Sequence, residues 1–275
     1  MTRLTDRSVL PSVVPYGRPG PSEVASQAAR ALFNLRELLI RGTFAPGERM
    51  SELPLVARLK VSRTPIRLAL ERLAHMGLLD VNASGGFIVR GYTPTEALDA
   101  IEIRGVLEGT AARLAAERLV ESAEIDTLRH LADEMDRLDR LTLDSFAHYM
   151  DLNEAFHAAI IDLAKSEMLK HAIQQAVSLP FASPSAMVFP TSGLAHADEA
   201  LALAKQHHRS LVDAIQSRQG TRAEHVAREH ALIGWRVLAL ALSDSEALSK
   251  VPGASLINLS ARGSVAAPRK ASAST

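Results

Sequence analysis

The sequence contains no cysteine among its 275 residues, which excludes disulfide bonds and thiolate metal sites. It also has no apolar run long enough to span a bilayer. The first residues lack the basic, apolar and small-residue layout of a signal peptide. From these absences we expect a cytoplasmic protein with no membrane partner.

Common catalytic motifs are missing as well. The sequence has no His-Glu-x-x-His zinc motif, no serine nucleophile elbow and no phosphate-binding loop. A metal-dependent hydrolase would need metal ligands together with a placed general base. We therefore do not expect an enzyme, although a hydrolase with a basic appendage stays open as an alternative.

The chain has no formal net charge, but its charges are unevenly distributed. Residues 1–92 hold 13 Lys and Arg against 7 Asp and Glu, so this part is basic. Residues 93–275 hold 18 against 24, so this part is acidic. A basic front segment on an acidic body is typical of a DNA-binding module joined to a sensor.

The strongest local pattern predicts a short amphipathic helix after Ser62. Ser62 suits the N-cap position, and Pro65 falls in the first turn, where its missing N–H has no intrahelical partner to lose. Helical spacing predicts one buried stripe, made of Ile66, Leu70 and Leu73. Arg63 and Arg67 are four residues apart and share another face, from which arginine can bind guanine in the major groove.

A second helix and a hairpin flank this one. Ser51-Glu52-Leu53-Pro54 repeats the Ser-x-x-Pro start, and a tight turn at Lys60 and Val61 completes a helix-turn-helix. Short apolar runs at Leu78–Val81 and Phe87–Arg90 predict a β-hairpin wing. The alternative is a small helical subdomain whose arginines form only a solvated face.

Residues 36–89 resemble the winged helix-turn-helix of the GntR family of bacterial repressors. The matching residues include Ile40-Arg41-Gly42, Pro46-Gly47-Glu48, Val61 to Arg67, Gly77-Leu78 and Gly85-Gly86. The resemblance implies a homodimer on a palindromic double-stranded DNA operator, with DNA contacts from Ser62, Arg63, Thr64, Arg67 and Gly85. Some relatives carry a further DNA-contacting arginine where this chain has Leu53, so we expect that contact to be absent.

The whole pattern predicts a mainly α protein, with an N-terminal winged helix-turn-helix domain and a C-terminal all-α helical bundle. The expected divisions are a disordered arm at 1–21, the DNA-binding domain at 22–92, an effector-binding and dimerisation domain at 93–245 and a disordered tail at 246–275. Gly91–Pro94 is the expected linker between the domains. Predicted helices cover 22–41, 94–119, 122–141, 144–164, 166–179, 196–218 and 221–242.

Three histidines of the bundle are candidate metal ligands. Asn153 and His157 share one helix face, and His208 and His230 lie on two helices joined by a short turn, at a spacing that suits antiparallel neighbours. Converging imidazoles suit zinc, nickel or a similar metal. Considered one by one, each histidine is more often a surface residue or a hydrogen-bonded core residue than a metal ligand.

The bundle resembles the FCD effector domain found in many GntR regulators. The residues on which this resemblance rests include Arg104 to Glu108, Asn153-x-x-Phe156-His157, His208 to Ile215 and Arg228-Glu229-His230. The resemblance implies a divalent metal ion held by Asn153, His157, His208 and His230, where many members have Asp in place of Asn153. A neutral amide is a poorer cation ligand than a carboxylate.

The resemblance also implies a small organic acid as effector, because family members commonly bind such acids. Arg104 is the candidate clamp, since its guanidinium matches a carboxylate; the alternative is an ion pair with Glu108. Phe156, Phe181 and Trp235 suggest an aromatic acid. We thus expect a regulator, and most simply a repressor, released from DNA by its effector. A DNA-binding dimer without an effector stays open as an alternative.

Overall fold

The structure is a computed structural model that describes residues 21–83, 85–138, 143–184 and 197–259. The predicted arm lies outside these ranges except for Pro21, which begins the first helix. The helices are α1 (Pro21–Ile40), α2 (Glu52–Leu59), α3 (Arg63–His75), α4 (Pro94–Arg118), α5 (Asp126–Arg137), α6 (Leu143–Leu163), α7 (Glu167–Ala176), α8 (Ala197–Gln216), α9 (Gly220–Ala241) and α10 (Ser245–Ser249). The strands are β1 (Arg49–Met50), β2 (Leu79–Val81) and β3 (Phe87–Val89).

Helices α2 and α3 form the predicted helix-turn-helix. Lys60 turns the chain between them with a left-handed φ of 53°. Ser51 and Ser62 occupy the N-cap positions with extended backbone, but neither side chain makes a capping hydrogen bond. The two serines are therefore at the predicted N-cap positions, without side-chain capping bonds.

The end of α3 is set by Gly77, whose φ of +81° is readily adopted only without a Cβ. Its N–H donates to the carbonyl of Ala74, and that of Leu78 donates to the carbonyl of Leu73. This pair of bonds is the Schellman arrangement that ends many helices. The chain then enters the wing, a sheet of strand order β1-β3-β2 with antiparallel pairing.

The C-terminal bundle is built around α4 and α9, which pack along each other. A Cβ at Gly105 would lie 2.7 Å from the Cβ of Ala231, and one at Gly109 would lie 2.7 Å from Arg228 Cγ. The two glycines therefore permit a close approach that larger residues would prevent. Helix α8 packs on α9 as well, and α6 packs against both α4 and α5. None of the described helices combines the length and apolar character that a membrane span requires.

The expected disordered tail is wrong for residues 246–259. The chain forms α10 and a 3-10 turn at Ala254–Leu256, and it buries apolar side chains, namely Leu248, Val251, Leu256 and Ile257. Tyr92 of the linker donates its N–H to Leu256 and accepts from the N–H of Asn258. The physical reason is that these apolar residues fill the core shared by the two domains. Residues 260–275 lie outside the described part of the chain.

This packing also changes the expected role of the linker. Tyr92 is 4% exposed, and its backbone is hydrogen-bonded to the segment after α10. The linker residue is thus part of a packed core and not an unconstrained joint. Thr93 caps α4 in a reciprocal capping box with Glu96, and Pro94 lies in the first turn of this helix.

Candidate metal centre and DNA-binding face

Three helices bring the predicted histidines together. His157 lies on α6, His208 on α8 and His230 on α9, and one ring nitrogen from each lies within 4.8 Å of the others. The ring centroids of His208 and His230 are 4.6 Å apart, and those of His157 and His230 are 5.1 Å apart. Antiparallel packing of α8 and α9 therefore places both histidines at one depth, beside α6.

The environment keeps two of these imidazoles neutral at pH 7. Burial lowers the pKa of His208 and of His230 well below the usual 6.5, and neighbouring imidazoles lower each further. Arg104 adds to the effect at His230. A neutral imidazole offers a ring lone pair, which is the form that binds a metal ion.

The donor atoms fit a divalent ion. Both ring nitrogens of His208, Nε2 of His157 and Nδ1 of His230 are buried without a hydrogen-bond partner among the described residues. A buried polar atom without a partner costs free energy, so four such nitrogens in one cluster need an explanation. Imidazole nitrogen ligands suit zinc, nickel or a similar ion.

Asn153 occupies the fourth predicted position. It lies one turn before His157 on α6 and is 1% exposed. Its Nδ2 donates a hydrogen bond of 3.2 Å to the carbonyl of Pro184. The amide oxygen of the same side chain is the atom that could bind a cation.

Glu108 is the residue that sequence reasoning missed in this centre. It appeared only as an ion-pair partner of Arg104, yet its carboxylate lies between Arg104, with Nε at 3.7 Å, and His157, with Nδ1 at 3.4 Å. Burial raises the pKa of Glu108, but Arg104 and His157 lower it by more, so the carboxylate stays ionised. A carboxylate behind a histidine orients the ring and directs its other nitrogen, here Nε2, toward a metal.

A small cavity of about 20 Å³ adjoins the centre, comparable to the space that one water molecule needs. Its lining includes Arg104, His230, Phe181, Ser183 and Pro184. Of the three aromatic residues expected around an acid, Phe181 alone is in this lining. Phe156 instead packs on His208 with ring centroids 4.5 Å apart, and Trp235 packs against the core shared by the domains.

The five residues predicted to contact DNA are all exposed: Ser62, Arg63, Thr64, Arg67 and Gly85. The side chains of Arg63 and Arg67 are 69% and 67% exposed. Each is held by an acid, with Arg63 3.1 Å from Glu52 and Arg67 3.2 Å from Glu71. Leu53, where some relatives have arginine, is 67% exposed.

Comparison with known proteins agrees with this architecture. The family model described as "Bacterial regulatory proteins, gntR family" matches residues 27–89, and the model of the FCD domain matches residues 99–232. Together the two models cover most of the chain, one on each domain. The chain belongs to the GntR family. This membership confirms the resemblance drawn from the sequence motifs and the mainly α fold class.

Curated relatives of this GntR chain are transcriptional regulators. The Nta operon transcriptional regulator of Aminobacter aminovorans is 40% identical over 126 residues, which are 46% of this chain and 58% of that protein. The match thus spans less than two thirds of that relative. The HTH-type transcriptional repressor RspR of Escherichia coli K12 is 25% identical over 71% of this chain and 82% of its own length.

A solved structure shows the same fold. The E. coli protein McbR/YncC superposes with a TM-score of 0.55 at 21% identity, covering 78% of this chain and 97% of its own. The family and these curated relatives are transcriptional regulators, which are not enzymes. The alternative of a metal-dependent hydrolase is therefore dropped.

Proposed function

We propose that this GntR regulator binds a palindromic operator as a homodimer and responds to a small organic acid bound, together with a divalent metal ion, in the helical domain. One observation carries the proposal. Three buried histidines, with ring nitrogens lacking partners among the described residues, converge beside a buried arginine. Such a cluster is costly unless a ligand uses it.

Asn153, His157, His208 and His230 would hold the ion, and Glu108 would orient His157. The bound ion supplies positive charge and coordination positions for a carboxylate. Arg104 is the candidate for the far end of the acid, and the cavity of about 20 Å³ beside it would have to widen to admit one. Its Nε faces Glu108, while a Cβ at Gly234 in the cavity wall would lie 3.6 Å from its Nη2. The guanidinium therefore has donors on the cavity side as well as on the Glu108 side.

Arg63 and Arg67 would bind base edges, with Ser62, Thr64 and Gly85 close to the DNA backbone. Their present partners do not prevent this. An exposed ion pair is worth about 0–1 kcal/mol, whereas a bidentate arginine contact with guanine contributes about 1–3 kcal/mol of discrimination. Giving up Glu52 and Glu71 therefore costs little compared with what a base contact contributes to specificity.

A homodimer would present two such heads to a two-fold operator. One helix and wing contact few base pairs, and two-fold proteins pair with palindromic sites. Exposed apolar side chains on adjacent helices support association, namely Ile103 and Val106 on α4 and Leu232 on α9. Sedimentation at micromolar concentration should give the mass of two 29.6 kDa chains. A single-chain mass would contradict the dimer.

Zinc titration of chelator-treated protein tests the metal centre. We expect one ion per chain in the wild type, a raised melting temperature on binding and loss of both in His208→Ala. His207→Ala is the matched control, because His207 is the adjacent histidine and lies outside the converging triad. Absence of zinc binding by wild type, or equal binding by His208→Ala, would contradict the proposal.

Operator release tests the regulatory part. A palindrome selected from random duplex DNA supplies the probe, and a thermal-shift screen supplies an acid that binds the zinc-loaded protein. Because RspR is named a repressor, we propose that the acid weakens operator binding. Allosteric coupling is typically 1–3 kcal/mol, so a loss of roughly 5–150-fold is expected. An acid that binds without changing operator affinity would favour a DNA-binding dimer without an effector response.

A further inference from the structure

The C-terminal end of α3 is hydrogen-bonded from outside the helix. Three consecutive carbonyls accept side-chain bonds: Gln175 Nε2 donates to His75 (2.9 Å), Ser178 Oγ to Met76 (2.9 Å), and the Tyr92 hydroxyl to Gly77. Ser178 also lies 2.7 Å from the carbonyl of Gln175, so its single proton is shared. The last carbonyls of a helix have no partner within the helix. The helix that carries the predicted DNA contacts is thus held at its end by the bundle and the linker.

Gln175 and Ser178, which make two of these bonds, belong to a stretch that continues into the wall of the cavity. We name residues 175–184 the coupling segment. Phe181, Ser183 and Pro184 of this segment line the cavity beside Arg104 and His230. Phe181 is 1% exposed and meets Tyr92 in an edge-to-face contact, with ring centroids 5.1 Å apart. The segment therefore touches the proposed effector site and the DNA-binding domain at once.

Pro184, the last residue of the coupling segment, is hydrogen-bonded to the proposed metal centre. The Nδ2 of Asn153 donates to the carbonyl of Pro184 at 3.2 Å. An ionised aspartate at this position has no proton to donate and would face the carbonyl oxygen with a negative charge. The asparagine amide, unlike an aspartate of the same size, can offer an oxygen to a cation and also donate an N–H to the coupling segment.

We infer that the coupling segment transmits occupation of the metal and acid site to the end of α3, and that Asn153 is the positioning residue that joins site and segment. This inference rests on the proposed function. A ligand that uses the amide oxygen of Asn153 restricts the same amide group that holds Pro184. Close packing then carries the restriction through Phe181 and Tyr92, because packed interiors deform little. The filled site favours one placement of α3 over another.

Hydrogen exchange with zinc alone as the ligand tests the inference without a known operator. The amides of Gly77 and Leu78 report on the end of α3, since they donate to Ala74 and Leu73. In wild type we expect zinc to slow their exchange by about 2- to 10-fold, the change that stabilising one hydrogen bond produces. Asn153→Asp should bind zinc at least as tightly, because a carboxylate adds charge, yet show no slowing at these amides.

Variants at the other end of the segment make the test independent of the metal site. Gln175→Ala should bind zinc normally and lose most of the slowing, whereas Gln174→Ala, at the neighbouring exposed glutamine, should keep it. Gln175 is exposed, so this variant supports a conclusion even if Asn153→Asp does not fold. Failure of wild type to bind zinc overturns the proposed function. Zinc binding without slowing, or with equal slowing in Asn153→Asp and Gln175→Ala, overturns the coupling alone.

Discussion

Replacing Arg104 by methionine should destabilise the protein more than any exposed arginine substitution. Arg104 is 4% exposed and Glu108 is 5% exposed, with Nε and Oε2 3.7 Å apart. Methionine fills much of the arginine's volume, so the main loss is charge and not packing. The substitution leaves the buried carboxyl group of Glu108 with His157 as its remaining described partner.

The expected loss of unfolding free energy in Arg104→Met depends on the groups that surround Glu108. Removing one partner of a buried ion pair typically costs 3–5 kcal/mol. His157 Nδ1 remains 3.4 Å from the carboxylate, so we expect the lower end, about 3 kcal/mol. Adding Glu108→Gln removes the unpaired charge. The double variant should therefore return to within about 1 kcal/mol of wild type, since replacing both partners of a buried pair is often nearly neutral.

Urea unfolding at pH 7 with far-UV circular dichroism measures these differences. The protein should be freed of metal with a chelator, because an ion bound to the folded state would add its own stabilisation. Arg41→Met is the control, since Arg41 pairs with Glu37 at 3.5 Å while 75% exposed, and exposed pairs contribute about 0–1 kcal/mol. If Arg104→Met changes the free energy of unfolding no more than Arg41→Met, the description of a buried, mutually dependent pair is wrong.

Acid binding by Arg104 is best tested in protein that lacks the buried carboxylate of Glu108. Loss of acid binding in Arg104→Ala would mix a lost clamp with a disturbed Glu108 and His157. The better comparison is Glu108→Gln with and without Arg104→Met, because the buried carboxylate is absent from both. A clamp by Arg104 then shows as weaker acid binding in the double variant at unchanged zinc affinity.

Four further predictions concern the DNA-binding face, the segment after α10 and the start of α4. Arg67→Ala should weaken operator binding by about 1–3 kcal/mol in gel-shift titrations at fixed salt, and unchanged affinity would remove Arg67 from the contact set. Gly253→Ala should destabilise by about 1–3 kcal/mol in urea, because its φ is +75° and a Cβ would lie 2.3 Å from Pro180 Cγ. Gly47→Ala should cost less, because its φ is +84° but no described atom lies within 4 Å of the added Cβ. Thr93→Ala should cost about 1 kcal/mol of stability as a lost N-cap. The hydrogen bond from the backbone N–H of Thr93 is the main reason that the pKa of Glu96 lies below the usual 4.5. Stabilisation by Glu96 is therefore present above pH 4.5 and is lost as the pH falls through the pKa of the folded state. The unfolding free energies of wild type and Glu96→Gln should converge at low pH.

Signals that lie within a few residues were enough to place most of the fold. Thr93 and Pro94 mark the start of α4, Gly77 marks the end of α3, and the apolar periods predict the helices between such points. The spacing of Asn153 and His157 needs only helix geometry. Predicting that His208 lies close to His230 requires one further assumption, which is that two helices joined by a short turn run antiparallel.

Contacts between residues far apart in the chain could not be predicted from such local signals. Glu108 is four residues from Arg104, and this pairing was predictable, but its contact with His157 depends on how α4 lies against α6. The segment after α10 has the composition of a disordered tail. Leu256 and Ile257 are nonetheless buried, because the linker and the two domains provide a core that composition alone does not show.

Asn153 shows how a contact with a distant residue changes the interpretation of a side chain. Judged as a metal ligand alone, an amide is a weaker choice than a carboxylate, and Asn153→Asp would be an improvement. The structure adds a second requirement, because the same side chain donates to Pro184. A residue that serves both the ion and the coupling segment needs a donor as well as an acceptor. If this is the reason for the amide, metal affinity and coupling should change in opposite directions in Asn153→Asp, an outcome that neither a purely structural asparagine nor a purely ligating one produces.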